Sequence, residues 1–216
     1  MTTPQGKDTV RIEDSGGVRR ILLNRLDKKN ALTFAMYEDL AAALAGAEAD
    51  PRIHVVGVGS TGEVFSAGND IGDFVSFVGK LEDSPVLRFL QVLSRFPKPI
   101  VAAVDGVAVG IGTTLLLHCD VVVASDRARF QLPFVKLALV PEAASSVLLP
   151  AVIGLRRATE WLLTGDAIDA PTALRYGLVN AVVPPTDLAA EAQRRADALA
   201  KLPPGAVCQT KALLRA

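Results

Sequence analysis

The most constraining feature of this sequence is a glycine-bearing run at residues 99–120, PIVAAVDGVAVGIGTTLLLHCD. Residues 100–104 are apolar and rich in β-branched side chains, which predicts a short strand buried on both faces. Gly106, Gly110 and Gly112 follow, where the backbone must turn or another segment must come close. Residues 113–119 are apolar at nearly every position and predict a short buried helix. A helix that begins at a glycine turn presents unpaired N–H groups, which suit an anion or an oxygen that becomes one during a reaction.

The rest of the chain alternates predicted strands and helices. Further strands are expected at residues 10–13, 18–23, 53–59, 121–124 and 130–132, and helices at residues 33–49, 71–95 and 141–153. The last third is expected to consist of helical segments broken by glycine and proline. We therefore predict an α/β fold, with a core at residues 1–160 and a helical C-terminal region at residues 161–216.

Composition narrows the possible functions. Lys plus Arg and Asp plus Glu each number 23, so the zero formal charge gives no reason to expect nucleic acid or a membrane surface as a partner. The apolar stretches stop well short of the roughly 20 residues of a membrane-spanning helix, and the polar N-terminus lacks the features of a signal peptide. Cys119, Cys208 and the two histidines, His54 and His118, suggest neither a disulfide framework nor a metal site. A cytoplasmic protein without a metal is the expectation.

Several common catalytic motifs are missing from the sequence. Residues 110–115 are Gly-Ile-Gly-Thr-Thr-Leu, where a dinucleotide-binding turn needs Gly-x-Gly-x-x-Gly. Gly79-Lys80 is followed by Leu81, which is not a Walker-type phosphate loop. There is also no Gly-x-Ser-x-Gly sequence, so a hydrolase built on a side-chain nucleophile is disfavoured.

Two loops and one acid remain as candidates for chemistry. Residues 66–70 and 110–112 each follow a predicted strand and could supply backbone N–H groups, and Glu142 lies in the first turn of a predicted helix. Each also has a structural interpretation that spacing alone favours: a turn in which Asn69 or Asp70 caps the next helix, close packing at glycines, and an acid stabilised by the helix dipole. By the same reasoning, Lys28 and Lys29 are solvated charges beside a turn.

Taken together, the ordered motifs resemble the crotonase (enoyl-CoA hydratase/isomerase) superfamily from about residue 10 to residue 211. They are LNRLDKKNAL at residues 23–32, FSAGNDI at 65–71, KPIVAAVDG at 98–106, CD at 119–120, LTGD at 163–166 and YGLV at 176–179. The resemblance implies a crotonase-like core of repeated β-β-α units and an acyl-CoA substrate, with no cofactor beyond the CoA of the substrate. It also implies a homotrimer, or a hexamer built as a dimer of trimers. Because the sequence ends earlier than family members usually do, part of the helical C-terminal region is expected to be truncated or disordered.

The resemblance also assigns candidate site residues. It implies an oxyanion hole for the thioester whose donors are the backbone N–H groups of Asn69 and Ile111, with Ile111 standing where the family often has glycine. The family positions that line the substrate and CoA site correspond here to Lys28, Lys29, Ala31, Ala67, Asp70, Ile71, Gly110 and Pro133.

The acidic residues indicate which reaction of the family to expect. The two glutamates of the family's hydratases correspond to Thr114 and Phe134, so the pair that activates water is missing. Residues 140–146, VPEAASS, resemble the Pro-Glu segment of the Δ3,Δ2-enoyl-CoA isomerase branch, which implies that Glu142 shuttles a proton. An apolar surround that includes Phe134 and Leu139 is expected to raise its pKa. The alternatives are an enoyl-CoA hydratase or another crotonase-type reaction and, in a different class, a non-catalytic acyl-CoA-binding protein.

Overall fold

A computed structural model of the chain describes residues 9–76 and 83–215. The strands are β1 (Val10–Ser15), β2 (Val18–Leu23), β3 (Val55–Ser60), β4 (Ile100–Val104), β5 (Val107–Val109), β6 (Val121–Ser125), β7 (Arg129–Gln131), β8 (Ala167–Asp169) and β9 (Ala181–Val183). The helices are α1 (Phe34–Ala49), α2 (Ile71–Ser76), α3 (Pro85–Arg95), α4 (Ile111–Thr114), α5 (Ser145–Ile153), α6 (Leu155–Thr164), α7 (Ala170–Tyr176), α8 (Pro185–Ala200) and α9 (Pro204–Leu214). Short 3-10 segments lie at Leu26–Lys28, Leu115–His118 and Val135–Leu137.

A large sheet forms the centre of the fold. Its strand order is β1-β2-β3-β4-β6-β9, with β1 and β2 antiparallel and the other neighbouring strands parallel. Strand β4 lies inside the sheet and buries Ile100, Val101 and Val104, as its run of apolar β-branched side chains predicts. A second, smaller sheet has the order β5-β7-β8. The glycine-bearing run therefore leaves the large sheet after β4 and enters the small sheet at β5.

Helices cover both faces of the large sheet. Helix α1 begins at Thr33, whose side chain accepts a hydrogen bond from the N–H of Met36, and it buries an apolar stripe with Leu40 and Leu44 against one face. Helix α8 packs Leu188 and neighbouring alanines against valines on the opposite face. The predicted α/β fold with a helical C-terminal region is confirmed, while the domain boundary at residue 160 stays a prediction.

The predicted helix at residues 141–153 begins later than expected. Helix α5 starts at Ser145, because Ala143 and Ala144 have left-handed backbone conformations, with φ angles of 53° and 55°. Glu142 therefore precedes the helix by three residues and does not lie in its first turn, so the helix-dipole interpretation of this acid was wrong.

Other predicted elements differ in extent. The final third is not wholly helical, since β8 pairs with β7 and β9 pairs with β6. The helix predicted at residues 71–95 is described as α2 and α3, and residues 77–82 lie outside the described residues. The buried helix predicted at residues 113–119 begins earlier, at Ile111, and continues as the 3-10 segment Leu115–His118.

Candidate active site

Residues 66–70 form an extended segment that lies against β5. The N–H of Ser66 donates to the carbonyl of Val107 (3.0 Å), and the N–H of Val109 donates to the carbonyl of Ser66 (2.9 Å). A Cβ added at Gly68 would come within 3.0 Å of the Val109 carbonyl oxygen, and one added at Gly112 would come within 3.0 Å of Ser66. Gly68 also has a φ of 97°, which favours glycine, and a side chain at position 112 would crowd Ser66, so the two loops singled out from the sequence are in direct contact.

The orientation of the Asn69 N–H follows from the pairing on the other edge of this segment. The carbonyl of Gly68 accepts from the N–H of Leu32 (2.8 Å), and the N–H of Asp70 donates to the carbonyl of Leu32 (2.9 Å). Within a trans peptide the C=O and N–H point in opposite directions. Because the Gly68 carbonyl points toward Leu32, the Asn69 N–H points away from it.

The second loop turns β5 into α4 at Gly110, which has a φ of 54°. The carbonyl of Gly110 accepts from the N–H groups of Thr113 and Thr114 (2.9 Å each) and so points into the helix. The N–H of Ile111 belongs to the same peptide and therefore points out of the start of the helix. Within residues 9–76 and 83–215, neither this N–H nor that of Asn69 donates a hydrogen bond.

Glu142 places a carboxylate against α4. Its Oε1 accepts a hydrogen bond from the Thr114 hydroxyl (2.6 Å). Its Oε2 is buried and has no hydrogen-bond partner among the residues that the structure describes. Burial raises the pKa of Glu142, and the hydrogen bond from Thr114 opposes that rise. This combination makes Glu142 a stronger base than an exposed glutamate.

The loop that carries Glu142 is held from two sides. The carbonyl of Glu142 accepts from the N–H (2.9 Å) and the hydroxyl (2.6 Å) of Ser145. The Nε2 of His118 lies 2.9 Å from the carbonyl oxygen of Ala143, which requires the tautomer that is protonated at Nε2. The carbonyl of His118 in turn accepts from Arg215, which follows α9 (2.6 Å). These bonds fix the left-handed turn that directs the carboxylate inward.

Tyr37 connects α1 to the first loop. Its side chain is fully buried, and its hydroxyl donates to Oδ1 of Asn69. Burial raises the pKa of Tyr37, and the negative charge of Glu142 raises it further. Sequence reasoning missed Tyr37. The available signal was a tyrosine on the buried face of an amphipathic helix, since a buried hydroxyl needs a partner.

Six of the residues assigned to substrate and CoA binding lie on the first loop or in segments next to it. The Arg25 guanidinium donates to the carbonyl of Ala31 (2.9 Å) and pairs with Asp70 (2.7 Å), which lowers the pKa of Asp70. The carbonyl of Lys29 accepts from the N–H of Ala67 (2.9 Å). The remaining members of this group, Lys28 and Ile71, are exposed.

The other two assigned positions, Gly110 and Pro133, lie near the end of β7. The N–H of Gly110 donates to the carbonyl of Gln131 (2.9 Å), which ties the second loop to β7. Pro133 lies two residues further on, beside Gly165. Of the two apolar residues expected around Glu142, Phe134 is buried, whereas Leu139 is 42% exposed.

Two further findings concern the described residues only. None of their helices combines the length and apolarity that a membrane span requires. They also contain no group of three or more His, Cys, Asp or Glu side chains placed to hold a metal ion.

Comparison with known proteins identifies the family. Residues 13–216 match the family model described as Enoyl-CoA hydratase/isomerase. Enoyl-CoA delta isomerase 2 of Rattus norvegicus is 42% identical over 210 residues, covering 94% of this chain and 54% of that protein. Enoyl-CoA delta isomerase 3, peroxisomal, of Mus musculus is 38% identical over 217 residues, covering 98% of this chain and 68% of that protein. This chain thus spans between about half and two thirds of these curated relatives.

A solved structure agrees with the sequence match. The enoyl-CoA hydratase/isomerase from Pseudoalteromonas atlantica T6c has a TM-score of 0.93 and 41% identity, covering 96% of this chain and 83% of that one. The predicted crotonase-like fold is therefore confirmed. On the family match, the sequence identity and the shared fold, the chain belongs to the enoyl-CoA hydratase/isomerase family.

Proposed function

We propose that this protein is a Δ3,Δ2-enoyl-CoA isomerase in which Glu142 moves one proton along the acyl chain. The observation that carries this proposal is Glu142 Oε2, a buried carboxylate oxygen without a hydrogen-bond partner in the described residues. An unpaired buried oxygen costs folding free energy, so we infer that a substrate proton is its partner. The names of the rat and mouse relatives, both enoyl-CoA delta isomerases, support the same reaction.

In this proposal, the backbone N–H groups of Asn69 and Ile111 form an oxyanion hole for the thioester carbonyl. Both are free of donor bonds in the described chain, and they belong to two loops in contact. Removing a proton from C2 sends negative charge onto the thioester oxygen. Each well-placed donor stabilises that charge by about 3 to 4 kcal/mol in a water-excluded site.

Glu142 would perform both proton transfers. Its carboxylate takes the C2 proton, the C2–H electron pair forms the dienolate, and the same carboxylate returns the proton to C4. The double bond moves from C3–C4 to C2–C3, with no net change in atoms or electrons. A raised pKa brings Glu142 closer to the range in which a carboxylate is an effective general base near neutral pH.

CoA is proposed to lie along the group of Lys28, Lys29, Ala31, Ala67, Asp70 and Ile71. The exposed lysines suit its phosphates. Asp70 is engaged by Arg25 and by the N–H of Gly72 (3.0 Å), so its carboxylate shapes the loop and does not need to contact the substrate. Gly110 and Pro133 are proposed to lie on the acyl side of the site.

No cofactor is proposed beyond the CoA of the substrate, and the cytoplasmic location stays a prediction.

A direct assay tests the proposed reaction. Wild-type protein mixed with a 3-enoyl-CoA should generate the absorbance of a conjugated thioester, and it should exchange C2 protons of a bound acyl-CoA with deuterium from solvent. Binding without either signal would indicate a non-catalytic acyl-CoA-binding protein and would overturn the proposal.

Hydration of a 2-enoyl-CoA is expected to be absent, or slower than isomerisation by about 10² or more. A positioned general acid–base pair contributes at least about that factor to the rate, and the hydratase pair is missing here. The Thr114 hydroxyl, hydrogen-bonded to Glu142, cannot activate water as a carboxylate would. The measurement is loss of the conjugated-thioester absorbance after addition of a 2-enoyl-CoA. Thr114→Glu alone should not restore hydration, and rapid hydration by the wild type would place the protein among the hydratases.

The protein is proposed to assemble as a homotrimer or as a dimer of trimers. Large apolar side chains on α5 and α6 are exposed in the single chain: Val147 is 70% exposed, Leu155 69% and Leu163 67%. Apolar surface of this kind is typical of a face that another chain covers. Light scattering at micromolar concentration should give three or six times the monomer mass, and a monomer alone would contradict this prediction.

A further inference from the structure

Thr114 makes the two oxygens of the Glu142 carboxylate different. The threonine is fully buried, and its hydroxyl donates to Oε1 at 2.6 Å. A hydroxyl carries a single proton, so it can hold one carboxylate oxygen at a time. Oε2 remains buried and without a partner among the described residues.

Helix α4 links this hydroxyl to the second loop. The N–H of Thr114 donates to the carbonyl of Gly110 (2.9 Å), and the same peptide carries the N–H of Ile111. The neighbouring Thr113 hydroxyl donates to the carbonyl of Ala108 (2.6 Å) and fastens the helix to β5. One hydrogen-bonded turn therefore sets both the donor for the thioester oxygen and the group that holds the base.

We propose that Thr114 is a positioning residue: its hydroxyl holds Oε1 of Glu142 and leaves Oε2 as the oxygen that faces the reacting carbons. The proposal rests on the proposed function only for its kinetic consequences. Its structural consequence, a hydrogen bond that stabilises the ionised carboxylate, can be measured without any reaction.

The ionisable groups around Glu142 are limited in the described structure. Tyr37, on α1, donates its hydroxyl to Asn69, and burial together with the charge of Glu142 raises its pKa, so the phenol is neutral near neutral pH. His118, in the 3-10 segment after α4, contacts the carbonyl of Ala143, and burial lowers its pKa. More distant are Lys211 and Arg215, the cations that further lower the His118 pKa from the side of α9. A shift in the Glu142 titration on changing Thr114 would thus report the lost hydroxyl.

The test compares Thr114→Val, Thr114→Ser and a matched control, Thr113→Val. In Thr114→Val, kcat should fall about tenfold to a hundredfold, and the acid limb of the kcat–pH profile should move up by about one pH unit or more, as expected for losing a hydrogen bond to a charged group. KM should change little. Thr114→Ser keeps the hydroxyl and should retain the wild-type limb. Thr113→Val loses a buried hydroxyl on the same helix, and its limb should stay in place.

A second readout follows the carboxylate itself. The ¹³C resonance of Glu142, assigned by its disappearance in Glu142→Gln, should titrate at higher pH in Thr114→Val than in the wild type or Thr114→Ser. Thr114→Ala gives the same comparison if the valine variant does not fold. Unchanged midpoints in Thr114→Val or Thr114→Ala, or an equal shift in Thr114→Ser, would overturn the proposal. A wild type that does not isomerise overturns the proposed function, and the ¹³C midpoints still decide the role of Thr114.

Discussion

Glu142→Gln is expected to lower the isomerisation rate by about 10² to 10⁴, the usual contribution of a positioned general base. Glutamine keeps the shape of the side chain and can still accept from Thr114, but it cannot take a proton from C2. Exchange of C2 protons with deuterium should stop for the same reason. Affinity for an acyl-CoA should be nearly unchanged, because the proposed CoA positions lie on the first loop and beside the 3-10 segment Leu26–Lys28.

The measurements are steady-state isomerisation, deuterium exchange by mass spectrometry and acyl-CoA binding by calorimetry. Glu48→Gln, the same change at an exposed position on α1, is the matched control and should behave as wild type. If the Glu142→Gln variant turned over as fast as wild type, Glu142 would not be the base, and the protein would be left as a thioester binder.

The pKa of Glu142 also predicts how stability depends on pH. Burial raises the folded-state pKa above the unfolded value, so the folded protein binds the proton more tightly. The wild type should therefore gain stability relative to Glu142→Gln as pH falls through the raised folded pKa toward the unfolded one. Thermal melts of both proteins across this range test the sign. The isomerisation rate should fall as pH falls through the same range, since only the ionised carboxylate can act as a base.

The central strand and the close approach at the glycines could be predicted because their signals are local, whereas the partner that each glycine meets could not. The run at residues 100–104 is apolar without alternation, which is typical of a strand buried on both faces. Gly68 and Gly112 are needed where the backbones touch, and glycine is the residue that permits such an approach. The strand depends on residue types within five consecutive positions, whereas the loop contact joins Gly68 to Val109 and Ser66 to Gly112, which are more than 40 positions apart.

The turn before α5 carried no such signal. Ala143 and Ala144 adopt left-handed conformations, which usually belong to glycine or asparagine, whereas alanine is a strong helix former. A proline at the start of an alanine-containing segment thus predicted a helix from residue 141. The tertiary hydrogen bonds from His118 and Ser145 outweigh that local preference and leave Glu142 outside the helix.

The residues that support the site could not be predicted for a different reason. Tyr37 and Asn69 are 32 positions apart, and Thr114 and Glu142 are 28 apart. Such pairs meet only after the sheet has brought their elements together. The strands β8 and β9 have three residues each, which is too short for a periodic pattern to distinguish them from a turn.

Ile111→Pro is expected to reduce turnover by about 10² to 10³, because it deletes one donor of the proposed oxyanion hole. The backbone can accept proline here. Ile111 is the first residue of α4, where proline is favoured, and its N–H donates no bond in the described chain. Gly110, at φ 54° and ψ −119°, lies outside the α region that a following proline disfavours. The measurement is kcat/KM for a 3-enoyl-CoA, with a thermal melt of the same sample.

The buried side chain of Ile111 makes a control essential, since proline also removes packing. Ile111→Ala keeps the N–H while deleting buried methyl groups, a change that costs about 2 to 5 kcal/mol of stability, and Ile111→Val is the milder version at about 0.5 to 1.5 kcal/mol. Assayed at a temperature where each is folded, the alanine and valine variants should stay within about tenfold of wild type if the donor is what matters. An alanine variant as slow as the proline variant would assign the effect to packing. A proline variant within about tenfold of wild type would exclude the Ile111 N–H from the reaction, because proline has no backbone N–H to donate.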